Sequence, residues 1–364
     1  MRTWVGSEWC TLGSMLLEEN KPLAPLTTLR LGGGARWFVE ASSEEDVVEA
    51  VTWAHEKAVP LFVLGGGSNL LVSDAGFNGL VVRIATRGIQ ACDTGSDPTA
   101  RIYQVAAGED WDAFVQRAIE DDCAGIECLA GIPGTAGGTP VQNVGAYGQE
   151  VASAIERVRV FDLQERTFKE FGASECDFGY RRSRFNSADG GRFVVTRVDY
   201  QLYPGGAPTL KYADLQRELS ASSNPSLRQV AEAVRRIRQS KGMLLVDGDP
   251  DCRSAGSFFK NPIVLLDQAT NVRSVAGAEP PRYPAGQENP GMVKLSAAWL
   301  IEKAGFTKGF TLGRAGISSR HTLALVNRGG ASAEEIIGLA DRIRSAVSAR
   351  FGIDLQMEPV MLGF

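Results

Sequence analysis

The chain has 364 residues, 44% of them hydrophobic and 22% charged, with a formal net charge of −5. That length suits two or three domains with substantial cores, and that composition belongs to a soluble globular protein. The acidic balance argues against a general nucleic-acid binder and leaves room for a local basic cleft that takes an anionic ligand.

Residues 1–19 read as a loosely specified extension with an alternative start at Met15, and patterned sequence begins near Pro22. Ser7, Glu8, Thr11 and Ser14 break Met1–Leu17, so it lacks the apolar core of a signal peptide. No later run is long enough to span a bilayer, and a cytoplasmic location with no membrane partner is expected. Ser42 with Glu45, ahead of Val47, Val48, Val51 and Ala54, predicts a capping box opening an amphipathic helix. Strand-like Leu61–Leu64 and Leu80–Ile84 flank the cluster Gly65-Gly66-Gly67-Ser68-Asn69. The G-x-G-x-x-G dinucleotide motif needs a helix directly after its loop; neither that spacing nor a G-x-x-x-x-G-K-[ST] run occurs, which argues against Rossmann and P-loop sites.

Trp111–Glu120 predicts a helix, and a second glycine cluster follows from Gly131 to Gly138. Val158–Asp162 and Arg192–Leu202 read as strands separated by a polar loop. Leu227, Val230, Val234 and Ile237 share one helical face, and the Gly- and Asp-rich stretch from Gly242 to Arg253 reads as a domain connector. Beyond it come a Pro/Gly-rich loop over 277–291 and a helix over Leu295–Ala304 stopped by Gly305. Ser332 with Glu335 then caps a helix with the stripe Ile336, Ala340, Ile343 and Val347, ended by Gly352, and Ile353–Phe364 reads as a strand returning to an earlier sheet.

Glycine permits positive φ and close approach of several N–H groups to one anion, so the two clusters, with Asn143-Val144-Gly145-Ala146-Tyr147-Gly148, suit a phosphate-bearing ligand; each alone also fits a tight turn. Ser257, close to Lys260 and Asn261, suits either a proton donor or a local cap entering an Asn-Pro turn. Arg181, Arg182 and Arg184 suit a solvated face or a bidentate grip on a carboxylate or phosphate, and Glu358 is a lone carboxylate in an apolar run. The six cysteines, Cys10, Cys92, Cys123, Cys128, Cys176 and Cys252, form no C-x-x-C pair, and the only histidines are His55 and His321. Free thiols and no metal site are expected.

In chain order, Leu26-Thr27-Thr28-Leu29-Arg30-Leu31-Gly32-Gly33, Val63–Leu71, Gly131-Ile132-Pro133-Gly134, Gln142–Gly148, Phe178-Gly179-Tyr180-Arg181 and Gly256–Pro262 resemble the UDP-N-acetylenolpyruvoylglucosamine reductase (MurB) family, in its longer form with a tyrosine loop at Leu210–Leu215. The resemblance runs from about residue 20 to the end. It implies an α+β fold in which a two-lobed FAD-binding region of the vanillyl-alcohol-oxidase (PCMH) type spans 20–245, joined by a C-terminal strand at 352–364. An α/β substrate-binding domain would occupy 246–351, after an extension at 1–19.

It also implies a ping-pong reaction in which NADPH reduces non-covalently bound FAD, which then reduces the enolpyruvyl ether of UDP-N-acetylglucosamine. Matched residue by residue, Ser257 resembles the general acid and Arg181 and Glu358 the pair that stabilises the substrate enolate. Gly65, Gly66, Gly67, Ser68, Asn69, Gly131, Ile132, Pro133, Gly134, Asn143, Gly145, Ala146 and Tyr147 fall on the cofactor side. Tyr147 again, Tyr180, Tyr212, Lys241, Asn261 and His321 fall on the side of the UDP-sugar and NADPH. Met357-Glu358-Pro359-Val360 departs from a common family pattern that has a second glutamate and no proline after the active one. A monomer is expected. Two other readings stay open: an FAD-dependent oxidase or dehydrogenase of an alcohol or sugar, and a nucleotide-sugar binding protein without redox function.

Overall fold

The computed structural model describes residues 11–92, 97, 99–286 and 288–364; Cys10 and the rest of 1–10 lie outside the described residues. A first, four-stranded sheet has the order Glu18–Pro22, Gly34–Ala41, Phe77–Ile84, Leu61–Leu64. Its outer pair is antiparallel and the others are parallel, which explains the unbroken apolar run Leu80-Val81-Val82, buried on both faces. The helix Glu44–Glu56 covers one face with Val47, Ala50, Val51 and Ala54.

Its cap differs from the predicted one. Ser43 is the N-cap and Asp46, not Glu45, closes the box, while the Ser42 hydroxyl also donates to Asp46 at 2.8 Å. Two adjacent serines make the pattern ambiguous, and the turn that points Val47 and Ala50 inward decides it. Asp46 also receives the Ser14 hydroxyl at 2.8 Å. The extension is accordingly structured from Thr11 on: Thr11–Leu12 pairs with Met15–Leu16, Met15 is buried, and Glu18–Pro22 is an outer strand of the sheet.

The second sheet has six strands, five in the order Thr167–Gly172, Ile155–Asp162, Phe193–Pro204, Arg101–Ala106, Ile89–Cys92, with Cys123–Ala124 added beside Phe193–Pro204. Trp111–Glu120 is helical as expected and packs Phe114 against Tyr200, ring centroids 4.9 Å apart. The polar loop expected between the two long strands holds a strand of its own, Thr167–Gly172, whose partly exposed residues show no clean alternation. One apolar core runs through both sheets, from Val39 and Leu80 to Val105, Val158 and Val198, and takes in Leu227, Val230, Val234 and Ile237 of the helix Leu227–Ser240.

Past the connector, helices Leu266–Ala276, Ala297–Lys303 and Ala333–Phe351 stand beside two small antiparallel sheets. The Ser332–Glu335 box and the left-handed Gly352 cap, φ 66°, bound the last helix as its sequence predicts. Leu295 belongs to a strand, so the preceding helix starts later than expected, after the Ser296 cap. The Pro/Gly-rich loop contains the strand Arg282–Pro284. Only Val360–Leu362 of the terminal segment is a strand, and it runs parallel to Leu70–Val72.

This second core is not self-contained. Leu29, Leu31 and Leu71 pack within it. Asn327 Nδ2 donates to Leu29 O at 3.0 Å, and Thr28 Oγ1 donates to Ser254 O at 2.6 Å. The carboxylate of Asp74 receives the Ala333 and Glu334 N–H groups at 2.9 and 3.2 Å, closing the open donors of the last helix from across the junction. Asp74→Ala is expected to lower the unfolding free energy by about 1 kcal/mol, the usual worth of a helix cap. A urea-denaturation midpoint equal to that of the parent would remove Asp74 from this role.

Candidate active site

The glycine loops meet because neither carries side chains where they touch. A Cβ on Gly66 would lie 2.5 Å from Gly134 Cα, and one on Gly67, φ +63°, would lie 2.0 Å from Leu26 O. Backbone is therefore packed on backbone, with Ser68 Oγ beside Gly134. The N–H groups of Gly66, Gly67 and Ser68 meet no acceptor among the described residues. Such a cluster of free donors, open to close approach, fits the diphosphate of a dinucleotide cofactor. Ile132 and Pro133 are half-buried beside it.

Asn69 joins this cradle to the chain's end. Its side-chain amide donates to Glu358 O at 3.1 Å, and its own carbonyl accepts from Val360 N–H at 3.0 Å. Gly256–Asn261 lies antiparallel to the same terminal segment: Phe259 stands opposite Met357, Glu358 N–H donates to Phe258 O at 2.9 Å, and Lys260 N–H donates to Gln356 O at 2.9 Å. Ser257 precedes Phe258, the residue opposite Glu358, and is half-buried, with a hydroxyl that makes no hydrogen bond among the described residues.

Arg181 faces Glu358 from the second lobe, Nε to Oε1 3.0 Å. It also donates to Gly145 O at 2.8 Å and Asn143 O at 3.4 Å. Asn143 is buried, and its amide spans Gly179 O at 2.9 Å and Glu150 Oε2 at 3.1 Å. Gly145-Ala146 pairs with Gln149-Glu150 through the turn Tyr147-Gly148, both residues at positive φ as a tight two-residue hairpin requires. Burial holds the Glu358 carboxyl above its ordinary value of 4.5, against the pull of Arg181 and Lys260.

Tyr180 accepts Asn261 N–H at 3.3 Å through its hydroxyl, and Asn261 Oδ1 in turn accepts Ala297 N–H at 2.9 Å. The Lys294 ammonium lies 3.9 Å from the centre of the Tyr180 ring, and burial pulls its pKa down. Sequence reasoning missed Lys294; a single lysine inside the strand-like Met292-Val293-Lys294-Leu295 was the available signal.

At the other end of the cleft, Tyr147 and Tyr212 meet edge to face, 5.4 Å between centroids. Lys241 lies within 5.9 and 5.7 Å of the two rings and donates to Asp214 at 2.9 Å. His321 is the least connected of the expected residues. Burial, then the charges of Lys241 and Lys308, push its pKa down to about 4, so it is a neutral imidazole at physiological pH. Arg238 was also missed as a site residue: it is buried and donates to Gly131 O at 3.1 Å and Met243 O at 2.6 Å, tying the second glycine loop to this end. The described cysteines are free thiols, and among the described residues no group of His, Cys, Asp and Glu is placed to hold a metal ion.

Residues 249–362 match the family described as UDP-N-acetylenolpyruvoylglucosamine reductase, C-terminal domain, and residues 35–169 match that described as FAD binding domain. The UDP-N-acetylenolpyruvoylglucosamine reductase of Streptomyces coelicolor is 46% identical over 355 residues, covering 95% of this chain and 90% of that protein. That of Thermobifida fusca is 44% identical over 354 residues, covering 95% and 98%. The crystal structure of the Thermus caldophilus UDP-N-acetylenolpyruvylglucosamine reductase matches with a TM-score of 0.65 at 29% identity, over 96% of this chain and 99% of that one. With an FAD-binding domain, an α+β fold and near full-length kinship on both counts, the chain belongs to the UDP-N-acetylenolpyruvoylglucosamine reductase family of flavin-dependent oxidoreductases.

Proposed function

We propose that this protein reduces the enolpyruvyl ether of UDP-N-acetylglucosamine to UDP-N-acetylmuramate at the expense of NADPH, acting as a monomer in a cytoplasmic step of peptidoglycan precursor synthesis. The observation that carries this reading is the partly buried Arg181–Glu358 pair, held by backbone pairing to the segment that carries Ser257, whose hydroxyl makes no hydrogen bond among the described residues. Gly65, Gly66, Gly67, Ser68 and Asn69 on one side and Gly131, Ile132, Pro133 and Gly134 on the other would hold the FAD diphosphate without a covalent bond. Asn143, Gly145, Ala146 and Tyr147 would line the rest of the cofactor's path. FAD, when bound, supplies hydride acceptance from NADPH and hydride donation to the enolpyruvyl group.

The protein's own residues answer the charge that follows. Hydride arriving at the vinyl CH2 makes it a methyl group and moves an electron pair onto the neighbouring carbon, shared with the carboxylate as an enolate. Arg181 meets the growing negative charge, and Glu358, whose pKa burial raises against the pull of Arg181, fixes where the guanidinium stands and meets an enolate oxygen best when it carries a proton. Ser257 then gives its hydroxyl proton to that carbon and regains one from water. Tyr180, Asn261, Tyr212 and Lys241 grip the UDP-sugar, with Lys241 as the cation for its diphosphate. His321, neutral, offers a hydrogen bond and no charge.

Three outcomes test the reading. Ser257→Ala should bleach with NADPH about as fast as the parent while its reoxidation by the enolpyruvyl sugar slows by about 10²–10³. Equal loss in both half-reactions, followed by anaerobic stopped-flow at the flavin absorbance, would strip Ser257 of the acid role. Gly66→Val should purify with little flavin, because the added side chain pushes the loops apart; a full flavin-to-protein absorbance ratio would count against the cradle.

The third concerns Glu358. Its folded pKa is raised, so the stability tied to its protonated form is complete below the ordinary 4.5 and is lost as pH rises through the raised value. Glu358→Gln keeps the protonated shape at every pH. Its melting temperature is expected to gain on that of the parent from pH 4.5 toward neutrality. A gap that narrows over that interval would contradict the assignment.

A further inference from the structure

Glu127 belongs to no expected site, yet it is 1% exposed and lies just before the second glycine loop. Its carboxylate takes three N–H groups: Gly125 N at 2.9 Å, Thr209 N at 2.7 Å and Gln149 Nε2 at 3.2 Å. Two of these donors sit close to the Tyr147–Tyr212 pair. Gln149 follows the Tyr147-Gly148 turn in the hairpin, and Thr209 precedes Tyr212 by three residues. The knot closes on itself through Cys128, whose N–H donates to Gln149 Oε1 at 2.8 Å and whose thiol donates to Thr209 O at 3.2 Å. Burial, then the Glu127 charge, push that thiol's pKa up, so it keeps the proton it donates.

Apolar packing does not do this work on the outer side. A cleft of about 900 Å³, lined by Gly125, Gly148, Gln149, Thr209 and Lys211 among others, runs behind the hairpin and the base of the tyrosine loop. Beside the packing of Ala146, Leu210 and Tyr212 on the main core, these polar contacts help fix where the two segments stand relative to each other. Only an acceptor-only group suits the centre of the knot, because an amide there would turn an NH2 toward one of the incoming donors.

We propose that Glu127 is a positioning residue: by holding Gln149 and Thr209 together it sets the meeting of Tyr147 with Tyr212, and through that pair the grip on the UDP diphosphate. The inference rests on the substrate assigned above. It goes beyond that assignment by naming a buried carboxylate, remote from the reacting carbon, as a determinant of nucleotide affinity.

The test uses the flavin-loaded, full-length protein and UDP itself as the probe, with affinity read by calorimetry. Glu127→Gln and Gln149→Met, which leaves the carboxylate in place, are each made in the parent and in Tyr212→Ala. Each should weaken UDP binding by about tenfold in the parent and by less than about twofold where Tyr212 is already gone. KM for the enolpyruvyl sugar should rise in step while kcat changes by no more than about twofold. An unchanged affinity, or the same loss in both backgrounds, would overturn the positioning role. Should Glu127→Gln fail to fold, Gln149→Met decides alone. A parent protein that binds UDP but is not reoxidised by the enolpyruvyl sugar would refute the proposed reaction instead, and the UDP coupling would still decide the role of Glu127.

Discussion

Setting one partly buried carboxylate against one guanidinium, Glu358 against Arg181, is the constraint from which the rest of the arrangement follows. Taking such a pair out of water costs several kcal/mol per ion unless further hydrogen bonds complete it. Arg181 finds them at the carbonyls of Gly145 and Asn143. Glu358 is held by its backbone, N–H to Phe258 and carbonyl to the Asn69 amide. Five separated stretches of chain are thereby bound to one point: a glycine loop, a hairpin, the arginine-bearing turn, the serine-bearing segment and the terminus. The parallel pairing of Val360–Leu362 with Leu70–Val72 then keeps Glu358 from drifting away from the cofactor side.

Three of the nine described non-glycine residues at positive φ lie at the same place. Asn143, Tyr147 and Arg181 have φ of 42°, 50° and 53°, a region that residues with a Cβ seldom adopt. Each such residue costs on the order of 1 kcal/mol or more and persists only where its surroundings enforce it. Here the enforcement is visible: Asn143 is locked by Glu150, Gly179 and Ala152, and Arg181 by Gly145 and Glu358. Held this way, the hairpin aims Tyr147 at Tyr212 and the arginine at the carboxylate before any ligand arrives.

How much of this could be read from the sequence depends on how local the cause was. Trp111–Glu120 and Ala333–Phe351 follow from caps and apolar stripes within one stretch of chain, and both were legible. Strand Thr167–Gly172 was not, because its side chains sit half-exposed at a sheet edge and carry no clean alternation. The order in residues 11–22 was hidden for another reason: it depends on partners at Gly34–Ala41 and Asp46, which no local pattern announces. Among the site residues, glycine clusters and the Ser257 segment stand out as motifs. Lys294 and Arg238 acquire meaning only from what the fold sets beside them, a tyrosine ring and a glycine-loop carbonyl.

Those two cations show how a chain of net charge −5 can still set positive charge beside the glycine loop and Tyr180. Away from the cleft, arginines are spent on carboxylates, as Arg192 is on Asp162 and Arg320 on Asp251. Arg238 is held instead by the carbonyls of Gly131 and Met243, and Lys294 lies against the face of Tyr180. Carbonyl oxygens and ring faces position a cation without cancelling its charge. The cost appears as the depressed pKa that burial imposes on both groups, and an anionic ligand entering the cleft would relieve it. Positive charge at this site thus rests on where carbonyls and a ring face place Arg238 and Lys294 rather than on any excess of basic residues.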